Sequence, residues 1–401
     1  MDILEAKLAV IAAGKRLVET GLIARTWGNV SARVDDKQFV ITPSGKAYDG
    51  LTPDDIVLVN IFDLAYDGEV KPSSEKGIHA QAYALRPQVN FVIHTHQRNA
   101  SIAAVMGRPV ASPYWSDVLG ETVPIAAYGL PGTGKLKKGV TKALKEYPGA
   151  NAVLMAHHGA LCVGKDAEAA FQVADALEKA CLAHLKSRLT EVTGEVAETL
   201  EGIHALIDAR RAQPTQPAPI LEAYTSFRSG AAFCMEGRNG TILDVSLANG
   251  KVAGGLEPPE TLELHRTIYQ KNHKINAIVH SQQPDIIRAS KARQKLLPFL
   301  DDFAQIAGIN LRLNRYNPNS QLESAALAAK ALKGRSALLL EDNGALCVGT
   351  NLEEARAVET VTEKNCAVSL SADLFDKVRH IGVIDALLMR TVYVLKYSKK
   401  K

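Results

Sequence analysis

The chain contains 401 residues, 46% of them hydrophobic, which is enough for two ordinary domains that each have a core. Its 47 basic and 43 acidic residues give a formal net charge of only +4, which argues against a nucleic-acid-binding protein. The amino terminus lacks the basic start and apolar core of a signal peptide, and no apolar run reaches the roughly 18 residues of a membrane span, so we expect a cytoplasmic protein without membrane contact.

The first half of the chain alternates between helical and strand-like patterns. Apolar residues recur at helical spacing over residues 1–20, and short apolar or β-branched runs between turn residues indicate strands. The predicted elements in chain order are a helix at 1–20, strands at 39–41 and 56–60, a helix at 74–85, strands at 89–95 and 153–156, and a long helix at 166–188. This mixture predicts an α/β sandwich.

Two histidines stand at the end of one predicted strand. The segment "FVIHTHQ" at 91–97 places His94 and His96 two residues apart, so both side chains project from the same face. Two imidazoles on one face can share a Zn²⁺ ion. Two hydrogen-bonded histidines without a metal would explain the pair equally well at this point.

Further candidate ligands come from two other segments. His158 belongs to "HHG" at 157–159, where a predicted strand ends at a glycine turn. Glu75 ends the segment "KPSSE" at 71–75 and opens a predicted helix, a place where an acidic residue by itself is usually only a helix-start charge. Together with His94 and His96, these residues make a plausible divalent-metal site in which the carboxylate also accepts a proton.

A second group of residues has the composition of an anion pocket. Three short segments offer small hydroxyls, an amide and glycine-exposed backbone N–H groups, which can hold a phosphate. Their candidate residues are Thr26, Gly28, Asn29, Ser44, Gly45, Ser73 and Ser74.

The chain is an internal duplication. "GALCVG" occurs at 159–164 and again at 344–349, and "AIVHSQQ" at 277–283 repeats the histidine strand. A shift near 185 recurs over about 100 residues, as expected for a tandem repeat of one domain type. The predicted boundaries are a first domain at 1–212, a proline-rich linker at 213–219 and a second domain at 220–401. The five cysteines follow the repeat in part and are expected to be free, buried core residues.

As a set, the motifs resemble those of the class II aldolase/adducin family. "GNVS" at 28–31, "ITPSG" at 41–45, "PSSE" at 72–75, "HTH" at 94–96 and "HHG" at 157–159 occur in this order and cover nearly all of the first domain. The resemblance implies a tandem duplication of three-layer α/β/α domains, each with a central and mainly antiparallel sheet.

The same resemblance implies a zinc-dependent aldolase. Glu75, His94, His96 and His158 would ligate Zn²⁺, or another divalent metal such as Mn²⁺ or Co²⁺, and Thr26, Asn29, Ser44, Gly45, Ser73 and Ser74 would hold the substrate phosphate. The metal would stabilise a dihydroxyacetone-phosphate enediolate while a C–C bond of a small phosphorylated ketose breaks or forms. The alternatives are an epimerase, dehydratase or decarboxylase on the same fold, or a non-catalytic adducin-like interaction protein. Glutamate at position 75 favours an aldolase, since related epimerases tend to have aspartate there.

Family aldolases receive a proton donor tyrosine from a neighbouring subunit, about 19 residues beyond the second histidine. Here that count reaches Trp115, so a register shift of one residue makes Tyr114 the expected donor. The chain is therefore expected to be a homo-oligomer, possibly a dimer of tandem chains that forms a four-lobed ring.

The second domain lacks most of the expected ligands. The repeat places Thr261, His280, Gln282 and Asn343 at the positions of Glu75, His94, His96 and His158. Threonine, glutamine and asparagine are poor zinc ligands, so we expect no catalytic metal there. Two roles remain for this domain, a structural one, which we favour, and the binding of a ligand or regulator in a metal-free pocket.

Overall fold

A computed structural model of the chain describes residues 1–23, 27–211, 217–293 and 295–397, apart from the side chains of residues 396 and 397. It divides into two compact units, residues 1–203 with 374–379 and residues 204–373 with 380–401. The domain boundaries expected at 212 and 220 remain a prediction, because residues 212–216 lie outside the described part.

The first unit is built on one large sheet and one small one. Its strands are β1 Asn29–Arg33, β2 Gln38–Ile41, β3 Val57–Asn60, β4 Phe91–Thr95, β5 Val110–Ala111, β6 Thr122–Val123, β7 Ile125–Ala126, β8 Ala152–Met155 and β9 Gly159–Gly164. Its helices are α1 Ile3–Glu19, α2 Lys76–Leu85, α3 Arg98–Met106, α4 Ser116–Leu119, α5 Gly134–Glu146 and α6 Ala167–Thr193, and α7 Leu200–Arg210 contains the boundary between the units.

The large sheet is central and mainly antiparallel. Among the described residues it has seven strands in the order β3-β2-β1-β4-β9-β8-β7, and only β7 and β8 pair in parallel. Alternate residues of the strands enter two separate cores. Phe91 and Ile93 pack with α1, α3 and α6 on one face, whereas Val92 packs with α2 and α5 on the other. The unit therefore has three layers, with helices on both faces of the sheet.

The second unit repeats this arrangement. Its strands are β10 Tyr224–Ser229, β11 Ala232–Gly237, β12 Ile242–Ser246, β13 Ala277–Ser281, β14 Leu313–Asn314, β15 Ala337–Leu340 and β16 Gly344–Gly349. Its helices are α8 Leu262–Lys271, α9 Pro284–Lys291, α10 Asp301–Ile306, α11 Gln321–Ala331, α12 Leu352–Ser371 and α13 Val383–Val392. In the described part of this unit the strand order β12-β11-β10-β13-β16-β15-β14 matches the order in the first unit, strand for strand.

The prediction of tandem α/β/α domains with mainly antiparallel sheets is confirmed. The repeat extends to the start of the long helices, where the side chains of Asp166 and Asn351 accept hydrogen bonds from backbone N–H groups of α6 and α12. All five cysteines are free and buried, as expected for duplicated core positions. No helix among the described residues is long and apolar enough to cross a membrane.

Candidate active site

Strand β4 brings both histidines of "HTH" to one face of the sheet. It lies between β1 and β9, and His94 stands opposite Asn29 on one side and Leu161 on the other. His94 follows the alternation of Val92 and so projects toward the face that carries α2 and α5. Its Nδ1 makes a hydrogen bond of 2.9 Å to the Ala160 carbonyl, which leaves Nε2 directed toward His96, 2.9 Å away.

A tight turn between β8 and β9 supplies His158. His157, directly before it, has a φ of 64°, and the equivalent residue of the second unit, Asp342, has a φ of 60°. The left-handed conformation is thus a property of the turn, since it also occurs in the second unit, where the two histidines are absent. A Cβ on Gly159 would lie 2.3 Å from the Thr95 carbonyl oxygen, so only glycine allows this close approach to β4.

Glu75 meets the imidazoles at the start of helix α2. Its Oε1 lies 2.9 Å from His158 Nε2, and its Oε2 lies 3.3 Å from His94 Nε2. The ligand nitrogens of His94, His96 and His158 all lie within 4.8 Å of one another. Tetrahedral zinc with bonds near 2.0–2.1 Å separates its ligand atoms by roughly 3.3 Å. The three imidazoles could therefore hold a zinc-like ion, and Glu75 lies beside two of them.

Burial and charge shift the pKa values of two of these groups, Glu75 and His94. Desolvation alone would raise the pKa of Glu75, but attraction to His158 and His94, with a hydrogen bond from Asn29, holds it well below its usual range. Burial lowers the pKa of His94 well below its usual range, and the neighbouring His96 lowers this pKa further. A carboxylate beside imidazoles is a good ligand set for a divalent cation.

A buried hydrogen-bond chain fixes the carboxylate of Glu75. Asn29 Nδ2 donates to Glu75 Oε2 at 2.9 Å, so its Oδ1 faces away and accepts a hydrogen bond from His79 Nε2 at 2.5 Å. His79 Nδ1 must then accept from the Ser31 hydroxyl at 2.6 Å, and Ser31 Oγ accepts from Tyr83 at 2.7 Å. Burial lowers the pKa of His79 to about 3, which agrees with this neutral tautomer.

The sequence patterns did not identify His79, Ser31 and Tyr83 as site residues. The sequence signal was the repeat, in which His79 and Tyr83 recur as His265 and Tyr269. Asn29, expected to hold phosphate, starts strand β1 and has both ends of its amide engaged inside the protein. Its position makes it a support for Glu75.

Four of the expected phosphate donors, Ser44, Gly45, Ser73 and Ser74, lie in two turns that run side by side. Ser44 N–H donates to the Lys71 carbonyl at 2.9 Å, and Ser73 N–H donates to the Thr42 carbonyl at 3.0 Å. The side chain of Ser74 is exposed and that of Ser73 is buried, where its hydroxyl accepts from the Glu75 N–H.

The glycines of this region have backbone conformations that suit them to turns. Gly45 has a φ of 72°. Gly28, with a φ of 142°, lies so close to β4 that a Cβ would be 2.7 Å from the His94 carbonyl oxygen. Thr26 lies outside the described residues.

Tyr114 lies in a short 3₁₀ turn, Pro113–Trp115, and its side chain is 87% exposed. The Tyr114 ring packs edge-on against Trp115, with 6.1 Å between the ring centroids. An exposed phenol in this position is accessible to a neighbouring chain.

The second unit keeps the supporting framework of this site. Ser226 lies 2.7 Å from His265 Nδ1 and 2.8 Å from the Tyr269 hydroxyl, which repeats the contacts of Ser31. Thr261 precedes α8 as Glu75 precedes α2. The Thr261 hydroxyl and His265 Nε2 are buried without a hydrogen-bond partner among the described residues.

The side chains at two of the replaced ligand positions form hydrogen bonds with the protein backbone. Asn343 donates to the Pro219 carbonyl at 2.8 Å and accepts from the Leu221 N–H at 2.7 Å. Gln282 donates to the Leu221 carbonyl at 2.9 Å. These side chains therefore hold the segment that leads into strand β10.

Comparisons with known proteins agree with the repeat and with the motifs. The model of the class II aldolase and adducin N-terminal domain matches residues 8–185 and 234–370. A 5-methylthioribulose-1-phosphate/5-deoxyribulose-1-phosphate aldolase of Rhodospirillum rubrum is 35% identical over 172 residues, which is 42% of this chain and 76% of the relative. The L-fuculose phosphate aldolase of Escherichia coli strain K12 is 32% identical over 164 residues, 40% of this chain and 74% of the relative.

A solved structure of an L-fuculose 1-phosphate aldolase is 32% identical, with 49% of this chain and 90% of that chain covered and a TM-score of 0.44. The family model covers more than half of the chain and matches both units, including the segments that carry Glu75, His94, His96 and His158. The protein therefore belongs to the class II aldolase and adducin family, as a tandem member with two copies of the family domain.

Proposed function

We propose that this protein is a metal-dependent aldolase that cleaves or forms a C–C bond in a small phosphorylated ketose. The observation that carries the proposal is the convergence of Glu75 with three imidazoles beside two hydroxyl-bearing turns. Relatives named as aldolases of phosphorylated ketoses, at 32–35% identity, support the same reaction class.

In this proposal His94, His96, His158 and Glu75 hold one Zn²⁺, with Mn²⁺ or Co²⁺ as substitutes. The bound ion supplies stabilisation of the negative charge that develops on the ketose oxygens when the C–C bond breaks. Glu75 is the proton acceptor, since it is the carboxylate that lies buried among the three imidazoles.

The substrate phosphate is assigned to the turns that contain Gly28, Ser44, Gly45, Ser73 and Ser74, with Thr26 from the adjoining segment. Backbone N–H groups of the glycine turns and the serine hydroxyls would donate to the phosphate oxygens. Asn29 acts on the site through Glu75.

We also propose that the protein works as a cytoplasmic homo-oligomer in which Tyr114 donates a proton to the site of a neighbouring chain. Support for an oligomer comes from the exposure of Tyr114 and from an apolar face on α13, where the side chains of Val383, Ile384 and Leu387 are more than half exposed. Five free, buried cysteines agree with a reducing compartment.

The test is an assay for dihydroxyacetone phosphate release from a panel of ketose 1-phosphates. We expect one substrate to give product, and His94→Ala and Glu75→Gln to reduce kcat/KM by roughly a hundredfold or more, as for lost metal ligands or bases. Retention of metal without product from any ketose would refute the aldolase reaction and leave another chemistry at the same site.

A further inference from the structure

The second unit contains a cavity of about 530 Å³ close to the position that the metal site occupies in the first unit. A volume of this size is typical of small-molecule sites. Its lining includes Thr225, Glu236, Arg238, His280, Gln282 and Glu359. His280 and Gln282 stand at the positions of His94 and His96, so the cavity opens on the same end of the equivalent strand.

Arg238 directly follows strand β11, and the candidate phosphate donor Ser44 lies in the turn that follows the equivalent strand β2. Ser31 pairs with Ile41 in the first sheet, and Ser226 pairs with Met235 in the second. Counting three residues onward from Ile41 reaches Ser44, and from Met235 reaches Arg238. The segment after this strand thus carries a hydroxyl in the first unit and a guanidinium in the second. A guanidinium binds phosphate or carboxylate in a bidentate manner.

The charged residues that line the cavity leave Arg238 free to bind an anionic ligand. Arg356 is paired with Glu359 at 3.0 Å. Arg238 is exposed and has no ion pair among the described residues, and Glu236 beside it also has none. A ligand with an anionic group and further polar groups would complement this lining.

His280 offers a hydrogen-bond acceptor. The side chain is 3% exposed, and its Nε2 donates to the Asn343 carbonyl at 2.8 Å. Burial lowers its pKa to about 4, so the ring is neutral near pH 7 and Nδ1 is an acceptor. This nitrogen is buried and has no partner within the described part of the chain. A ligand hydroxyl is the group that would satisfy it.

We propose that the second unit binds a small hydroxylated anion, a phosphorylated or carboxylated polyol, in this cavity without a metal. Arg238 holds the anionic group, and His280 and Glu236 accept hydrogen bonds from hydroxyl groups. Gln282, fixed by its bond to the Leu221 carbonyl, forms part of the wall.

The test is isothermal titration calorimetry on the full chain. Because the first unit also has a candidate phosphate pocket, the parent carries Ser44→Asp, whose carboxylate repels anions there. Glycerol 3-phosphate and glycerate represent the two anion types, inorganic phosphate represents an anion without hydroxyls, and glycerol represents a neutral polyol. Arg238→Gln is the test variant, and Arg315→Gln is the matched control, an exposed arginine of the same unit outside the cavity lining.

We expect one of the two hydroxylated anions to bind the parent saturably, and inorganic phosphate and glycerol to bind more weakly. Arg238→Gln should weaken binding by roughly tenfold or more, as for a lost hydrogen bond to a charged group, Arg238→Lys should weaken it less, and Arg315→Gln should leave it unchanged. Equal affinities of Arg238→Gln and Arg315→Gln would overturn the proposal. So would the absence of saturable binding of both anions to the parent at millimolar concentration.

Discussion

At the scale of single residues, His79 fixes the orientation of Glu75 through Asn29. The directions of the hydrogen bonds are determined along the whole chain from Tyr83 to the carboxylate, because Asn29 must donate to Glu75. Such outer partners set ligand position and commonly change metal affinity or activity by factors of about 10 to 100.

We therefore expect His79→Leu to lower metal affinity and kcat/KM for ketose cleavage by roughly tenfold or more. His265→Leu is the matched control, because His265 makes the same contacts to Ser226 without a metal site nearby. Both variants should lose similar thermal stability, but only the first should change metal binding, measured by competition with a chelating dye. Equal effects of the two substitutions on metal affinity would show that the chain from His79 acts only through stability.

The burial of His265 leads to a prediction about the stability of the fold at acidic pH. Burial and the nearby His280 lower its pKa from 6.5 to about 3. At a pH between these two pKa values, the unfolded chain binds one more proton at His265 than the folded chain does. The contribution of neutral His265 to stability is therefore complete above pH 6.5 and is lost as the pH falls toward 3. His265→Gln should reduce the slope of unfolding free energy against pH by about 1.4 kcal/mol per pH unit in that range. Urea unfolding at several pH values would measure this, and unchanged slopes would contradict it.

At the scale of elements, the turn between β8 and β9 decides whether His158 reaches the other ligands. Gly159 lies against Thr95 in the first unit, and Gly344 lies against Ser281 in the second, where a Cβ would be 2.1 Å from the carbonyl oxygen. The same close approach of two strands therefore serves a metal site in only one unit.

Gly159→Ala should push β9 away from β4 and weaken metal binding by roughly tenfold, because ligands must be held to within about 0.5 Å of their working geometry. Gly344→Ala should cost at least as much stability, since it creates a similar clash and Gly344, unlike Gly159, also has a positive φ of 87°. It should leave metal affinity unchanged. Metal titration and thermal unfolding of both variants would test this, and normal metal affinity in Gly159→Ala would contradict it.

At the scale of the whole molecule, the two units have the same strand order but different chemistry. The second unit holds Thr261, Gln282 and Asn343 at the ligand positions, and two of these side chains hold backbone groups near Pro219 and Leu221. The two units therefore share a framework, but only the first unit has the four candidate ligands.

We expect one divalent metal ion per chain in protein purified without chelator, measured by plasma mass spectrometry. His94→Ala should reduce this to near zero, whereas His280→Ala should leave it unchanged, because the second unit lacks the other ligands. A stoichiometry near two, or metal loss in His280→Ala, would contradict the assignment of the site to the first unit.

Much of this protein was predictable because its informative residues lie in short local motifs. The alternation of a strand places His94 and His96 on one face whatever the rest of the chain does, and a shift of about 185 residues reveals the duplication. The family and the tandem α/β/α fold predicted from these patterns are confirmed. The roles of the individual ligands and of Tyr114 remain predictions.

The tertiary structure alone decided how distant segments meet. Strand order places β4 between β1 and β9, which sets Asn29 opposite His94, and Asn29 donates a hydrogen bond to Glu75 at the start of helix α2. Hydrogen-bond direction depends on which partner lies at each end of a side chain. For Asn29 those partners, Glu75 and His79, lie 46 and 50 residues away in sequence. Sequence therefore determined which chemical groups are present and which face they share, and folding determined which of them hold one another in place.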